Sequence, residues 1–217
     1  MNFYRVIKLN HKSIFHKVNM NMIKLIFIIF FIYSSMALAN QNIKGYQALE
    51  NKEYDKALFY LSYEANLGDD RAQYNLGIMY KKGLGVPVND NEAFSWFFLS
   101  ADQGNILAKY ALGNAYLKGE GINKNYLLAF KSYKYAGLKG HPMARLNIGN
   151  MYFSGLGINR NYPKAYLWWR IAQDQNTNGA RENIEILEKK MNSSEKYKGK
   201  EMYKNCMKDS LYNCTKE

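Results

Sequence analysis

Apolar residues recur along most of this chain with the three-to-four-residue spacing of an amphipathic helix. Between residues 70 and 82 this spacing predicts one helix, which ends at Gly83 and carries its apolar positions at Ala72, Leu76, Met79 and Tyr80. A second helix is predicted for about residues 90 to 103, with Asn89 as its N-cap. Its buried face, and that of its counterpart later in the chain, is predicted to consist mainly of Trp96, Phe97 and Leu99 and of Trp168, Trp169 and Ile171.

The two-helix pattern occurs three times with a period of 36 residues. Three segments align without a gap, and they begin at Arg71, Leu107 and Met143. Seven columns hold the same residue in all three segments, among them Tyr80, Tyr116 and Tyr152, and Gly83, Gly119 and Gly155. A period of this length is typical of stacked supersecondary units. The sequence therefore predicts an all-α fold, an α-solenoid of stacked antiparallel helix pairs.

A glycine interrupts the first predicted helix of each unit, at Gly77, Gly113 and Gly149. Each costs about 1 kcal/mol relative to alanine in a helix interior, whereas burying one large aromatic side chain contributes about 1.5–3 kcal/mol. We interpret these glycines as positions where the neighbouring helix approaches the backbone closely. The glycines of the Gly83 column are predicted to end the first helices in the left-handed conformation.

The chain divides into five predicted segments: a leader at 1–39, an N-terminal helix pair at 40–70, the three units at 71–178, a capping helix at 179–191 and a C-terminal helix at 192–217. Ala57 repeats a second-helix column one period upstream of the first unit. Ile184 and Leu187 keep first-helix spacing in the capping segment. Asn192 and Glu195 form a capping-box pattern at the start of the last helix.

The leader has the features of an export signal. Lys24 precedes an apolar run, and Ala37-Leu38-Ala39 matches an A-x-A cleavage site. The run with its small-residue tail is 15 residues long, shorter than the roughly 20 that a membrane-spanning helix needs. We therefore predict an exported protein without a membrane span after cleavage. Residues 1–19 lack this pattern, and a true start at Met20 or Met22 is an alternative.

Export changes how the charge and the cysteines are interpreted. Removing the five basic residues of the leader lowers the formal net charge from +12 to +7. This excess is spread along the chain, so nucleic acid is not a predicted partner, although polyanion binding remains an alternative. Cys206 and Cys214 can pair in an oxidising compartment, which would contribute roughly 2–3 kcal/mol. Two free thiols are the alternative.

The repeated pattern A-x-Y-x-L-G-x-x-Y-x-x-G-x-G-V, followed by an Asn or Asp cap and A-x-x-W, resembles the Sel1-like repeat, a relative of the tetratricopeptide repeat. The resemblance covers Arg71 to Asn178 and implies a right-handed superhelix. Exported bacterial proteins of this family act as adaptors in envelope processes and host interaction. The resemblance thus implies a periplasmic or secreted scaffold. The closing helix with its spaced cysteines also resembles the C-termini of such proteins.

Catalytic motifs are scarce in the predicted mature chain. His141 is its only histidine, and it stands at a helix-entry position, in the column of Asp69 and Asn105. Ser193 and Lys196 match S-x-x-K, but the accompanying S-D-N and K-T-G elements are missing. A base-stacking role of the tryptophans is less favoured than a core role. We predict no enzyme, cofactor or metal, with a cell-wall or β-lactam hydrolase as the alternative.

The predicted binding site is therefore a surface. Stacked helix pairs bind partners through the concave face, which the first helices line. The variable positions predicted there are Asn75, Ile78, Lys82, Asn114, Lys118, Asn147, Asn150 and Phe153. Amide groups can satisfy a peptide backbone, and lysines supply positive charge. We predict that this face binds an extended peptide or an acidic protein segment; the alternative is that these side chains are only solvated.

Overall fold

The computed structural model describes residues 22, 24–29 and 44–208 of the chain. The contacts divide the chain into two compact units, Met1–Tyr60 and Leu61–Glu217. In the first unit, residues 24–29 and 44–50 are helical. Within the described ranges, no helix has the length and apolar character that crossing a membrane requires. The predicted cleavage site at Ala37-Leu38-Ala39 lies outside the described residues.

Helices and short turns make up residues 44–208, and this stretch contains no strand. The helices are α1 (Tyr54–Asn66), α2 (Asp70–Lys82), α3 (Asp90–Asp102), α4 (Ile106–Lys118), α5 (Tyr126–Leu138), α6 (Pro142–Ser154), α7 (Tyr162–Asp174), α8 (Ala180–Lys190) and α9 (Ser193–Lys208). Three pairs of 13-residue helices, α2–α3, α4–α5 and α6–α7, form the repeats. The predicted all-α solenoid of stacked helix pairs is confirmed.

Side-chain caps and glycines fix the ends of the repeat helices. Asp69, Asn105 and His141 each accept a hydrogen bond from the backbone N–H three residues later, at 2.8, 3.0 and 3.2 Å. These caps satisfy N–H groups that have no partner within the helix. Gly83, Gly119 and Gly155 end the first helices with φ of 68°, 78° and 73°, which glycine adopts without a Cβ penalty.

The first helix of each repeat is packed against an aromatic ring of its second helix. A Cβ at Gly77 would lie 2.5 Å from the ring of Phe97, and a Cβ at Gly113 or Gly149 would overlap the ring of Tyr133 or Trp169. Each ring follows its glycine by 20 residues. We call Phe97, Tyr133 and Trp169 the glycine-facing rings. The missing side chains let these three rings lie directly on the helix backbone.

The predicted buried face of α3 is partly wrong. Leu99 is 46% exposed, because the inward face of this helix is formed by Ala93, Phe97, Ser100 and Ala101. Trp96 is only half-buried. In α7, by contrast, Trp168, Trp169 and Ile171 are buried as predicted. The difference arises because α9 packs on α7, where Met202, Tyr203 and the buried Cys206 surround Leu167 and Ile171.

Neighbouring repeats are joined by a tyrosine and a glycine that recur with the period. Tyr116 meets the ring of Phe94 edge-on at 5.5 Å, and Tyr152 meets Phe130 in the same way at 5.3 Å. Gly121 and Gly157 follow the helix-ending glycines of the second and third repeats by two residues. Their backbones lie against the first residues of α3 and α5. The second glycine of the motif is thus a contact between repeats as well as a turn.

The C-terminal helix α9 begins with the capping box that the sequence indicates. The backbone N–H of Asn192 donates to the Glu195 carboxylate at 3.0 Å, and the backbone N–H of Glu195 donates to Asn192 Oδ1 at 2.9 Å. Cys206 lies in the cluster between α9 and α7. Cys214 lies outside the described residues, so its pairing with Cys206 stays a prediction.

The buried Glu64 and the half-buried His141 give the chain opposing pH dependences of stability. Glu64 in α1 is 2% exposed, and burial raises its pKa from 4.5 to about 7; the Asp69 carboxylate adds to this, and Arg71 opposes it. The folded chain therefore binds more protons than the unfolded chain between pH 4.5 and 7. Stability consequently falls as the pH rises through this window. Burial lowers the pKa of His141 below 6.5, so its contribution is lost as the pH falls below about 6.5.

We expect Glu64→Gln to remove the loss of unfolding free energy between pH 5 and 7. The remaining slope should then be positive, because burial lowers the pKa of His141 and the unfolded chain therefore binds more protons at this residue. His141→Asn keeps the cap, as Asn105 does in the preceding repeat, and should remove that positive slope. Urea denaturation of the single and double variants at pH 5, 6, 7 and 8 checks both assignments. An unchanged pH profile of Glu64→Gln would contradict the first one.

Candidate functional site

An apolar groove lies at the junction of the first two repeats, between α2, α3 and α4. Its volume is about 180 Å³. Its apolar lining is contributed mainly by Tyr74, Ile78, Phe94, Phe97, Tyr110 and Ala111, and its polar lining by Lys81, Lys82, Asp90, Asn114 and Glu120. We call it the α2–α4 groove. Of the eight residues predicted for the binding face, Ile78, Lys82 and Asn114 line this groove, and the other five do not.

The groove exists at this junction because two side chains of α4 are small. Ala111 and Ala115 line it. The corresponding positions hold Asn75 and Met79 in the first repeat and Asn147 and Met151 in the third. Met79 and Met151 are buried, so the larger side chain fills the equivalent space. The two alanines are the feature of the sequence from which a groove could have been predicted. That both line the same groove is seen only in the packing of the helices.

An ion-pair cluster neutralises one wall of the groove. Lys81 of the first repeat pairs with Glu120 of the second, and its Nζ lies 3.4 Å from a carboxylate oxygen of Asp90. Lys118 lies 3.7 Å from the same Glu120 carboxylate. The cluster bridges the two repeats and leaves little net charge at the wall. Lys82 is exposed at the rim, and it is the lining residue best placed to meet an acidic group.

The glycine-facing rings also organise the polar side chains of the first helices. The polarity of the residue after each glycine corresponds to that of the ring covering the glycine. Ile78 occurs with Phe97, Asn114 with Tyr133, and Asn150 with Trp169. The Tyr133 hydroxyl donates to Asn114 Oδ1 at 2.7 Å. The Trp169 indole N–H lies 3.1 Å from Asn150 Oδ1 and also contacts the Leu146 carbonyl. A ring with a polar atom is thus paired with an amide, and a ring without one is paired with isoleucine.

The other predicted face residues have mixed surroundings. Phe153 packs against Trp169 and Tyr162, with ring centroids 5.5 and 5.7 Å apart. It therefore belongs largely to the packing of the third repeat. Asn147 hydrogen-bonds to Tyr133; that bond lowers the pKa of Tyr133, but burial has the larger effect and raises it. Asn75 is half-buried and Lys118 is exposed.

The ring-and-amide pairing predicts non-additive mutations. Asn114→Ile should cost about 1–3 kcal/mol of unfolding free energy, because the buried Tyr133 hydroxyl loses its acceptor. Tyr133→Phe should cost less, because Asn114 is half-buried and its amide keeps access to water. The double variant reproduces the Ile78–Phe97 pair of the first repeat and should recover most of the loss. Urea denaturation of all four chains gives the coupling energy, and strictly additive losses would contradict the pairing.

The candidate catalytic residues have structural roles. His141 accepts the N-cap hydrogen bond of α6 and stacks on Tyr110, with centroids 4.2 Å apart. Ser193 and Lys196 lie in the capped first turn of α9. Across the described part of the chain, no three His, Cys, Asp or Glu side chains are placed to hold a metal ion.

The family comparison matches the Sel1 repeat at residues 70–105, 106–141 and 142–176. Among solved structures, the chain is similar to a Sel1 repeat protein from Oxalobacter formigenes, with 33% identity over 66% of this chain and 59% of that one and a TM-score of 0.63. It is also similar to c5321, a protective antigen present in uropathogenic Escherichia coli strains that displays an SLR fold. That match has 26% identity over 82% of this chain and 47% of that one, with a TM-score of 0.50.

The chain thus spans about half to three-fifths of the length of these two structures. No curated protein matched it. Both solved relatives are bacterial.

Proposed function

Because the chain belongs to the Sel1 repeat proteins, whose repeats generally serve as scaffolds for protein–protein interaction, we propose that it is an exported, non-catalytic adaptor that binds a protein partner through its first helices. The observation that carries this proposal is the α2–α4 groove. The groove is mainly apolar, is lined by three of the residues predicted for the binding face, Ile78, Lys82 and Asn114, and is enlarged by Ala111 and Ala115. Envelope processes or host interaction are the proposed settings.

The partner surface that we propose extends beyond the groove along the first helices. Lys82 supplies positive charge at the rim, whereas the charge of Lys118 is partly neutralised by Glu120. The face is proposed to continue along Asn75, Asn147, Asn150 and Phe153. Because Lys81 is already paired with carboxylates, charge contributes less to binding than the apolar groove does. An acidic segment of the partner would meet Lys82 first. The partner is therefore proposed to be a protein with an extended segment that reaches into the groove.

Affinity capture with the Ala115→Met variant tests the proposal. Methionine is the residue that the other two repeats carry at this position, so it should fill the groove while keeping the fold. We expect a partner captured by the wild-type chain from envelope or extracellular fractions to be lost with this variant. Leu127→Ser, an exposed change on α5, is the control and should retain the partner. Equal capture by all three chains would contradict the groove as the binding site.

Export is a separate part of the proposal and has its own test. If the leader is cleaved after Ala39, the secreted or periplasmic chain begins at Asn40. N-terminal sequencing or intact mass measurement of the chain from the producing bacterium should show this residue first. The same mass measurement, before and after reduction, shows whether Cys206 and Cys214 are paired. A chain that keeps residues 1–39 and stays in the cytoplasm would contradict export.

A further inference from the structure

We infer that Asn114 and Asn150 present amide N–H donors to main-chain carbonyl oxygens of an extended partner segment, which places one large apolar side chain in the α2–α4 groove. This inference rests on the proposed function and specifies the chemistry of the segment. It follows from the direction in which the two side-chain amides are held. It also follows from the size of the groove.

The orientation of Asn150 is fixed by two donors. The indole N–H of Trp169 can only donate, and it lies 3.1 Å from Asn150 Oδ1. The side-chain amide of Asn183 donates to the same oxygen at 3.2 Å. Both lone pairs of Asn150 Oδ1 are therefore used within the protein. Its Nδ2 group has no acceptor among the described residues, and the side chain is only half-buried.

Asn114 is oriented by a single hydrogen bond. The Tyr133 hydroxyl donates to Asn114 Oδ1 at 2.7 Å, and the oxygen is the only atom of a side-chain amide that can accept. The Nδ2 group of Asn114 remains, and no acceptor for it lies in the described part of the chain. This residue also lines the groove.

Asn114 and Asn150 occupy the same position in successive repeats. In both, the amide N–H groups are donors that have no acceptor among the described residues. A main-chain carbonyl is the group that an extended segment offers at regular intervals, and it accepts hydrogen bonds. An anionic partner group is less favoured, because the nearby Lys81 is neutralised by Asp90 and Glu120. The pair of asparagines is therefore suited to recognise backbone, without selecting for charge.

The groove sets the size of the side chain that accompanies this backbone. Its volume of about 180 Å³ is below the 300–1,000 Å³ of typical small-molecule pockets. It is close to the roughly 150 Å³ cavity, lined by apolar side chains, that binds benzene in an engineered protein. One aromatic or branched aliphatic side chain fits such a space, and Tyr74, Ile78 and Phe97 would surround it.

A library of displayed linear peptides, selected on the full chain, tests the inference. We expect the enriched peptides to share one large apolar residue, whose replacement by serine weakens binding at least tenfold. Asn114→Asp keeps the oxygen that accepts from Tyr133 but removes the N–H donors, and Asn150→Asp does the same opposite Trp169. Each variant should weaken binding at least tenfold. Asn159→Asp, an exposed loop change of equal charge, should leave binding within twofold.

The outcomes separate the inference from the proposed function. If Ala115→Met abolishes binding of the peptides while both aspartate variants bind as the wild type does, the groove stands and the donor role is wrong. If Ala115→Met and the independent groove-filling variant Ala111→Asn both bind as the wild type does, the groove itself is wrong. Enrichment of no peptide would overturn the inference. Circular dichroism of each variant confirms that the fold is retained.

Discussion

Replacing Gly121 with alanine is expected to lower the free energy of unfolding by about 2–5 kcal/mol. The new Cβ would overlap the carbonyl oxygen of Asp90, the first residue of α3. Backbone at a helix start cannot turn aside as a side chain can, so the junction between the first two repeats must open. Overpacking of this kind typically costs about 1–3 kcal/mol, and φ of 71° adds about 1–2 kcal/mol for a residue with a Cβ.

Gly119→Ala is the matched control for this prediction. Gly119 has a similar φ of 78°, but a Cβ there would meet its nearest atoms at 3.5 Å, which is ordinary van der Waals contact. Gly119→Ala should therefore lower the free energy of unfolding only by about 1–2 kcal/mol, the cost of a left-handed conformation for a residue with a Cβ. Urea denaturation of both variants measures the difference, which isolates the contact between repeats. Equal losses would show that Gly121 is needed only for its turn.

Gly149→Ala is expected to lower the free energy of unfolding by up to about 2 kcal/mol, the cost of overpacking less the gain in helix propensity. The Cβ would overlap the indole of Trp169, which is 2% exposed and is held by hydrogen bonds to Leu146 and Asn150. The ring has no free space to enter, so α6 and α7 must separate. The gain in helix propensity, about 1 kcal/mol, offsets only part of the loss.

Gly137→Ala provides the comparison for this second prediction. Gly137 is also a buried helical glycine, but the nearest atom to its new Cβ would be Ile148 Cδ1, at 2.7 Å. A terminal methyl group can move by rotating its side chain, so we expect a loss below about 1 kcal/mol. Thermal and urea denaturation of the two variants tests the contrast. A Gly149→Ala chain as stable as the Gly137→Ala chain would contradict the role of the ring.

The sequence was sufficient to predict the repeat and its helices because these depend on local rules. The caps at Asn89, Asn125 and Asn161 and the left-handed glycines act within a few residues of themselves, and their signals recur every 36 positions. The same spacing also predicted a binding face on the first helices, and this stays a prediction. Leu99 shows the limit of this reasoning, because a helical pattern with apolar residues on several sides does not reveal which side is buried.

The candidate site could be predicted only as a face. Ile78, Lys82 and Asn114 come together in the groove, but the pairing of Lys81 with Glu120 joins residues 39 positions apart. Such a contact depends on how one repeat stacks on the next. The sequence predicted only that the amide groups of this face could satisfy a peptide backbone. In the structure the amide oxygens of Asn114 and Asn150 accept from Tyr133 and Trp169, and their amide nitrogens have no acceptor among the described residues.

The amino-acid pattern is therefore enough to specify the elements of this protein: the helices and their caps, the order of the repeats and the positions where a side chain must be absent. These features follow from backbone conformation and helix periodicity, which act over short stretches of chain. The packing of one repeat on the next establishes which ring covers each glycine, where two alanines leave a groove and which way each asparagine points. Those choices depend on the volume and hydrogen-bonding groups of side chains that are distant along the chain and meet only when the repeats stack.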